Sequence, residues 1–164
     1  MPVSVQTKSQ ITDLLERYQS AYNDHNADGL AVLLAEDVVM YGCRTEEVII
    51  GRESFLSAMR KNFERYKTGG IRFADAEIKS EGVIAWVSAS CMLLSTAGSG
   101  AVHETPCRFT AVFRGNGHAG EVAQIHIALG FPYHAREGSP VFISWFLGLL
   151  FSPVWWGSVC MRLL

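Results

Sequence analysis

Two histidines, His103 and His126, are suited to move protons near neutral pH, because imidazole titrates in that range. His103 precedes Glu104 at the start of a predicted strand, so the two residues offer an acid and a base side by side. Neighbouring strand residues point to opposite faces, so at most one of them faces inward. For His126, the alternation with Ile125 and Ile127 predicts the face away from the core. Catalysis in a pocket and a place at a dimer interface are therefore alternative roles for His126.

Arg108 and Tyr18 are the side chains that could bind an oxygen of a small molecule. The guanidinium of Arg108 can hold a carboxylate through two parallel hydrogen bonds, but alternation with Cys107 and Phe109 also fits a solvated or interface position. A buried phenol such as that of Tyr18 can stabilise negative charge developing on an enolate oxygen. Its helical spacing from Tyr22 fits a place in the apolar core equally well.

Motifs for cofactor chemistry are absent from the sequence. There is no glycine-rich phosphate loop, no nucleophile elbow and no zinc-protease helix, so nucleotide binding, serine hydrolysis and zincin chemistry have no support. The cysteines are far apart and lack zinc-site spacing. We therefore expect no metal and no other cofactor, and we expect mostly buried, reduced thiols at Cys43, Cys91, Cys107 and Cys160.

The hydrophobic pattern changes from helical to alternating spacing near residue 70. It predicts helices over residues 11–22, 27–34 and 53–66, with Ser9 or Thr12 capping the first. The predicted strands cover residues 37–41, 71–80, 83–95, 102–114 and 121–131. Helices followed by long strands indicate an α+β fold, in which helices cover one face of a curved, mostly antiparallel sheet.

The 164 residues carry a formal net charge of −2, and 49% of them are hydrophobic. This composition fits one globular domain and excludes a strongly basic nucleic-acid-binding arm. The N-terminal residues contain no apolar run of signal-peptide type, so we expect a cytoplasmic protein.

The C-terminal segment differs from the rest of the chain, because no charged residue occurs between Glu137 and Arg162. Residues 141–161 are mostly apolar and are long enough to cross a bilayer core, which needs about 20 residues. Gly148 and Pro153 interrupt this segment as a continuous helix. Membrane association and packing on the domain or on a partner subunit are therefore alternative predictions.

Several short strings occur in an order that resembles the SnoaL-like branch of the nuclear transport factor 2-like superfamily. They are Asn23-Asp24-His25-Asn26-Ala27-Asp28, Leu34-Ala35-Glu36-Asp37-Val38-Val39, Gly51-Arg52-Glu53, Ala85-Trp86-Val87, Arg108-Phe109-Thr110 and Gln124-Ile125-His126. The resemblance implies a cone-shaped, barrel-like α+β fold with an interior pocket. We expect this domain over residues 1–132, followed by an apolar extension over residues 133–164.

The resemblance leaves the activity open, because this superfamily includes polyketide cyclases, ketosteroid isomerases, dehydratases and non-catalytic binding modules. Similarity to the isomerase-like members implies that Tyr18 donates a hydrogen bond to a substrate oxygen. The strand that would carry their catalytic base, residues 40–43, has no acid. Trp86 and Tyr41 are expected to shape the cavity.

Two functions follow from the resemblance. The first is a pocket protein that binds or acts on a small apolar compound with a carbonyl or acidic group. If it is an enzyme, the expected chemistry is cofactor-free proton transfer, with His103, Arg108 or His126 as the polar partner of Tyr18. The second is a non-catalytic, homodimeric binding or interaction module, whose tail could also attach it to a membrane.

Overall fold

The structure is a computed structural model, and it describes residues 3–42, 47–65, 69–96, 102–115 and 120–129. The predicted tail, residues 133–164, lies outside the described residues, as do Cys43 and Cys160. The elements in chain order are α1 (Val5–Asn23), α2 (Ala27–Ala31), β1 (Leu34–Tyr41), β2 (Val48–Ile50), α3 (Arg52–Arg65), β3 (Gly69–Glu81), β4 (Ile84–Thr96), β5 (Val102–Gly115) and β6 (Gly120–Leu129).

Helix α1 begins earlier than the hydrophobic pattern predicts. Its cap is Ser4, whose side-chain oxygen accepts a hydrogen bond from the backbone N–H of Thr7 at 3.0 Å. The predicted caps Ser9 and Thr12 lie within the helix. The first turns are exposed and therefore carry no apolar periodicity, whereas the buried stripe begins at Ile11.

The strands form one six-stranded sheet in the order β2-β1-β6-β5-β4-β3. β1 pairs with β6 in parallel, and every other neighbouring pair is antiparallel. Shifts of register between Ala74 and Glu77 and between Val112 and Phe113 bend the sheet, which is curved but not closed. This confirms the predicted α+β fold, with helices packed on a mostly antiparallel sheet.

Side chains alternate between two faces along β4, β5 and β6. The core face packs against the helices and includes Cys91, Phe109 and Ile127, all of which are buried. The outer face carries the intervening residues, such as Arg108 and His126, which are exposed. Burial of each large apolar side chain on the core face contributes about 1.5–3 kcal/mol to folding.

Side chains of α1 hold this helix against β3, the edge strand of the sheet. The Gln19 side-chain oxygen accepts a hydrogen bond from the backbone N–H of Phe73 at 2.8 Å. The Asn23 side-chain oxygen accepts one from the backbone N–H of Ile71 at 2.7 Å. These bonds satisfy donors that an edge strand would leave unpaired, and they fix the C-terminal end of α1 over the sheet.

Candidate functional site

Three aromatic side chains meet where α1 ends and α3 packs beside it, and we call them the aromatic wall: Tyr22, His25 and Phe63. The Tyr22 ring stands edge-on to Phe63, with ring centres 5.4 Å apart and an interplanar angle of 81°. The His25 ring stacks on Phe63 at 4.7 Å and 9°. His25 has a φ of 53°, a left-handed conformation that histidine adopts more readily than most residues, and it turns the chain out of α1.

Beside the aromatic wall lies a cavity of about 250 Å³, which we call the interior cavity. Asn62 contributes its polar group, and its amide nitrogen donates a hydrogen bond to the Tyr22 hydroxyl oxygen at 3.4 Å. The lining comes from α1 and the turn after it, from α3 and from strands β3 to β6: Tyr22, His25, Asn62, Phe63, Gly69, Gly70, Leu93, Leu94, Ser95, Thr105 and Leu129. The lining therefore combines apolar surface with a few neutral hydrogen-bonding groups, as small-molecule sites do.

A wider depression of about 530 Å³ shares His25, Gly69 and Leu94 with the interior cavity. Asp24 lines this depression and brings a carboxylate to it. The Ser20 hydroxyl donates a hydrogen bond to that carboxylate at 3.2 Å. The shared residues make the depression an outer approach to the interior cavity.

A row of four opposed residues crosses the core face from β3 to β6, and it consists of Phe73, Cys91, Cys107 and Leu129. Leu129 also lines the interior cavity. The next row toward the end of the sheet includes Leu93 and Thr105, which line the cavity as well. The two cysteines therefore lie in the row next to these lining residues, and neither of them lines the cavity.

Tyr18 is 3% exposed and lies among aromatic rings deeper in the core. The ring centres of Phe109, Phe73 and Tyr22 are 6.2, 6.3 and 6.4 Å from its own. Burial raises the pKa of the phenol far above its usual value, with smaller contributions from Tyr22 and Cys91. Aromatic packing, rather than an acid–base pair, thus defines the position of Tyr18.

The other predicted ligand residues lie on the outer face, across the sheet from Tyr18. Tyr41 pairs with His126 in the β1–β6 register, and their rings are 6.2 Å apart at an angle of 82°. Arg108 and Trp86 share this face because they alternate with buried neighbours on β5 and β4. The structure therefore brings these four side chains to one surface and does not bring them together with Tyr18.

His103 is the one predicted catalytic residue near the rim of the interior cavity. It is exposed and lies directly opposite Ser95, a lining residue, on the same face as Thr105. Glu104 points to the other face and forms an ion pair with Arg72 at 3.6 Å. The adjacent acid and base are thus separated by the sheet.

Sequence reasoning did not select the residues that line the interior cavity. The hydrophobic pattern places His25 between two predicted helices and Phe63 within the predicted helix 53–66, and neither position by itself indicates a cavity. The available signal is the interruption at residues 24–26 between two helical patterns, which marks the end of a helix. The partner helix cannot be read from that signal.

The described residues include no cluster of histidine, cysteine or carboxylate side chains that could hold a metal ion. In the same part of the chain, no helix has the length and apolarity needed to cross a membrane.

Comparison with protein families gives a match to the SnoaL-like domain over residues 11–132. Comparison with curated proteins gives no match.

Several solved structures share the fold. A protein from Novosphingobium aromaticivorans, with a proposed activity of aromatic ring hydroxylation, is 14% identical, with a TM-score of 0.73 over 80% of this chain and 94% of that one. A nuclear transport factor 2-like protein of unknown function from Pseudomonas putida is 18% identical, with a TM-score of 0.70 over 81% and 93%. A proposed dehydratase of the same family from Streptomyces avermitilis is 16% identical, with a TM-score of 0.68 over 75% and 96%. At these identities the similarity shows the fold alone.

Proposed function

This chain belongs to the family of SnoaL-like domains, and we propose that it binds a small, largely apolar molecule in the interior cavity. The observation that carries the proposal is the position of the Tyr22–Asn62 hydrogen bond at the wall of a cavity with mostly apolar lining. Such a cavity holds an apolar body by excluding water, while a few polar groups fix its orientation.

The size of the cavity limits the ligand. An apolar cavity of about 150 Å³ accepts benzene, so a cavity of about 250 Å³ suits a molecule of one or two rings. The rings of the aromatic wall provide flat surface for contact with such a molecule.

The Asn62 amide gives the ligand a polar anchor. It uses one N–H toward Tyr22, and a side-chain amide has a second N–H and an oxygen available for further bonds. A ligand carbonyl or hydroxyl group can therefore bind beside Tyr22. The ligand class that fits is a small aromatic or alicyclic compound with one carbonyl or hydroxyl group.

A screen of such compounds by amide NMR tests the proposal. Binding should shift the signals of residues around Asn62, and Asn62→Ala should weaken binding about 5- to 10-fold, as expected for loss of one hydrogen bond. Gln10→Ala is the matched control, because Gln10 lies on α1 but lines a separate cavity of about 290 Å³ near the helix start. Shifts that map to the Gln10 cavity, with no effect of Asn62→Ala, would reject the proposal.

Proton transfer in the same cavity is a second candidate function, favoured by the imidazole of His25 in the aromatic wall. Here His25 takes the role that the sequence suggested for His103 or His126, and Tyr22 takes that of Tyr18. His25→Asn removes the imidazole, while asparagine still tolerates the left-handed backbone. Turnover of a ligand that His25→Asn abolishes, with binding retained, would support catalysis; equal turnover by both proteins would contradict it.

We also propose that the outer face joins two copies of the chain. The support is the cluster of Tyr41, His126, Arg108 and Trp86 on one surface, where Tyr41 is 43% exposed. Aromatic and arginine side chains are enriched at protein interfaces. In this assembly Arg108 and His126 contact the partner subunit rather than the small molecule.

A further inference from the structure

Cys91 and Cys107 occupy directly opposite positions on the antiparallel strands β4 and β5, and both are present as thiols. Each side chain is 4% exposed and lies on the core face. Opposite residues of antiparallel strands have Cα atoms about 4.5 or 5.5 Å apart, depending on the hydrogen-bonding register. Disulfides span Cα separations of about 4.4–6.8 Å, so a bond between these sulfurs fits the existing strand spacing.

The interior cavity reaches the neighbouring cross-strand row, although neither thiol lines it. Leu93 and Thr105 form the adjacent cross-strand pair on the same face and line the cavity, and Leu129 lies opposite Cys107 on β6. Leu129, at the end of the row that contains the cysteines, is 44% exposed, whereas each cysteine is 4% exposed. The Cys107 thiol donates a hydrogen bond to the Thr105 carbonyl oxygen at 3.5 Å, which ties its sulfur to a cavity residue.

We propose that Cys91 and Cys107 form a site of reversible oxidation, at which a peroxide converts the two thiols into a cross-strand disulfide. This inference goes beyond ligand binding and does not depend on it.

The reaction has two steps that balance with hydrogen peroxide as the oxidant. The thiolate of one cysteine attacks the peroxide; an S–O bond forms, the O–O bond breaks, and the departing hydroxide takes up a proton to become water. The second cysteine then attacks the sulfenic sulfur; the S–S bond forms, the S–O bond breaks, and a second water leaves. Two thiols are oxidised, and one peroxide is reduced to two waters.

Burial determines which oxidant can act. A thiol in apolar surroundings ionises less readily and is reached only by small molecules, so the reaction should be slow and size-selective. Hydrogen peroxide should oxidise the pair in the folded protein, whereas oxidised glutathione, a bulky disulfide, should not. A small thiol reductant should reverse the reaction.

The test uses the full chain with Cys43→Ser and Cys160→Ser, so that only this pair can react. After hydrogen peroxide treatment of the folded protein, intact mass should show loss of two hydrogens, and a non-reducing digest with a protease that cleaves after Glu104 should join the β4 and β5 peptides. Dithiothreitol should restore both. Adding Cys107→Ser, or Cys107→Ala if the serine variant does not fold, should abolish the joined peptide while Cys91 remains.

Three results would overturn the proposal. The first is a joined peptide that forms only in urea, because the bond would then belong to the unfolded chain. The second is separate sulfinic or sulfonic products on the two cysteines without a joined peptide. The third is no reaction of the folded protein with hydrogen peroxide even after exposures many times longer than the urea-unfolded chain needs.

Discussion

The substitution Tyr18→Phe distinguishes a core tyrosine from a catalytic one, because it removes the hydroxyl and keeps the ring. The ring packs against Phe73 and Phe109, and these contacts remain in the variant. A buried hydroxyl without a hydrogen bond costs about 1–3 kcal/mol, but among the described residues no side-chain oxygen is both buried and without a partner. Because the ring contacts remain, the structure predicts that Tyr18→Phe changes the free energy of unfolding by less than about 1 kcal/mol, or Tm by less than about 3–4 °C.

The pH dependence of the free energy of unfolding gives a second, independent prediction for the same variant. Burial raises the pKa of Tyr18 above its usual value of 10.0, so above pH 10 the phenol ionises in the unfolded chain but remains protonated in the folded one. The folded state then binds more protons, and stability falls as pH rises. Relative to Tyr18→Phe, the natural protein should lose about 1.4 kcal/mol per pH unit above that point.

Urea denaturation of both proteins at pH 8 and at several values above pH 10 measures these two effects, and Tyr18→Ala is the control for loss of the ring. Tyr18→Ala should cost about 3–5 kcal/mol, because it leaves a cavity among the aromatic rings. A loss of 1 kcal/mol or more in Tyr18→Phe at pH 8 would refute the reasoning, since it would mean that the hydroxyl has a bonded role. Parallel pH profiles of the two proteins would refute it as well.

Three further substitutions test the fold and the assembly. Asn23→Ala leaves the backbone N–H of Ile71 without its acceptor and should lower the free energy of unfolding by about 1–2 kcal/mol, measured by urea denaturation. Asp37→Asn removes a carboxyl whose pKa is lowered chiefly by its hydrogen bond to Arg114. In the natural protein, the stabilisation of the folded state by this carboxylate should be lost as pH falls below about 4. An acid-unfolding curve that is unchanged in the variant would contradict this. Tyr41→Asp places a charge on the outer face and should convert a dimer into monomers in light scattering after gel filtration; a dimer of unchanged stability would place the interface elsewhere.

The hydrophobic periodicity of the sequence predicted most of the fold, because burial of one face of a helix or strand imposes that periodicity. The stripe from Ile11 to Ala21 and the alternation along β4 to β6 each reflect one buried face, so the element types and the long strands follow from the sequence. The start of α1 was missed because its first turns are exposed and depend on Ser4 alone. β2 (Val48–Ile50) was missed because three residues on the sheet edge are too few to show a pattern.

The candidate site was harder to predict because its members come from elements that are distant in sequence. Asn62 and Tyr22 meet only through the packing of α3 beside α1, and neither the helical spacing of α1 nor that of α3 specifies that contact. His25 itself adopts a left-handed backbone conformation just after the end of α1. Local patterns therefore identified a turn and two amphipathic helices, but not the cavity between them.

Strand alternation decides which side chains can share a site. It divides the residues that the family resemblance suggested between the core face and the outer face of the sheet. Arg108 cannot reach the cavity from the same strand that directs Cys107 and Phe109 into the core, because consecutive side chains point to opposite faces. Among the β5 residues, Thr105 lines the cavity from a core-face position, and the rim residue His103 lies on the same face. The proposed ligand binding thus uses the α1 turn, α3 and the strand ends that line the cavity, and the proposed contact between subunits uses the outer face.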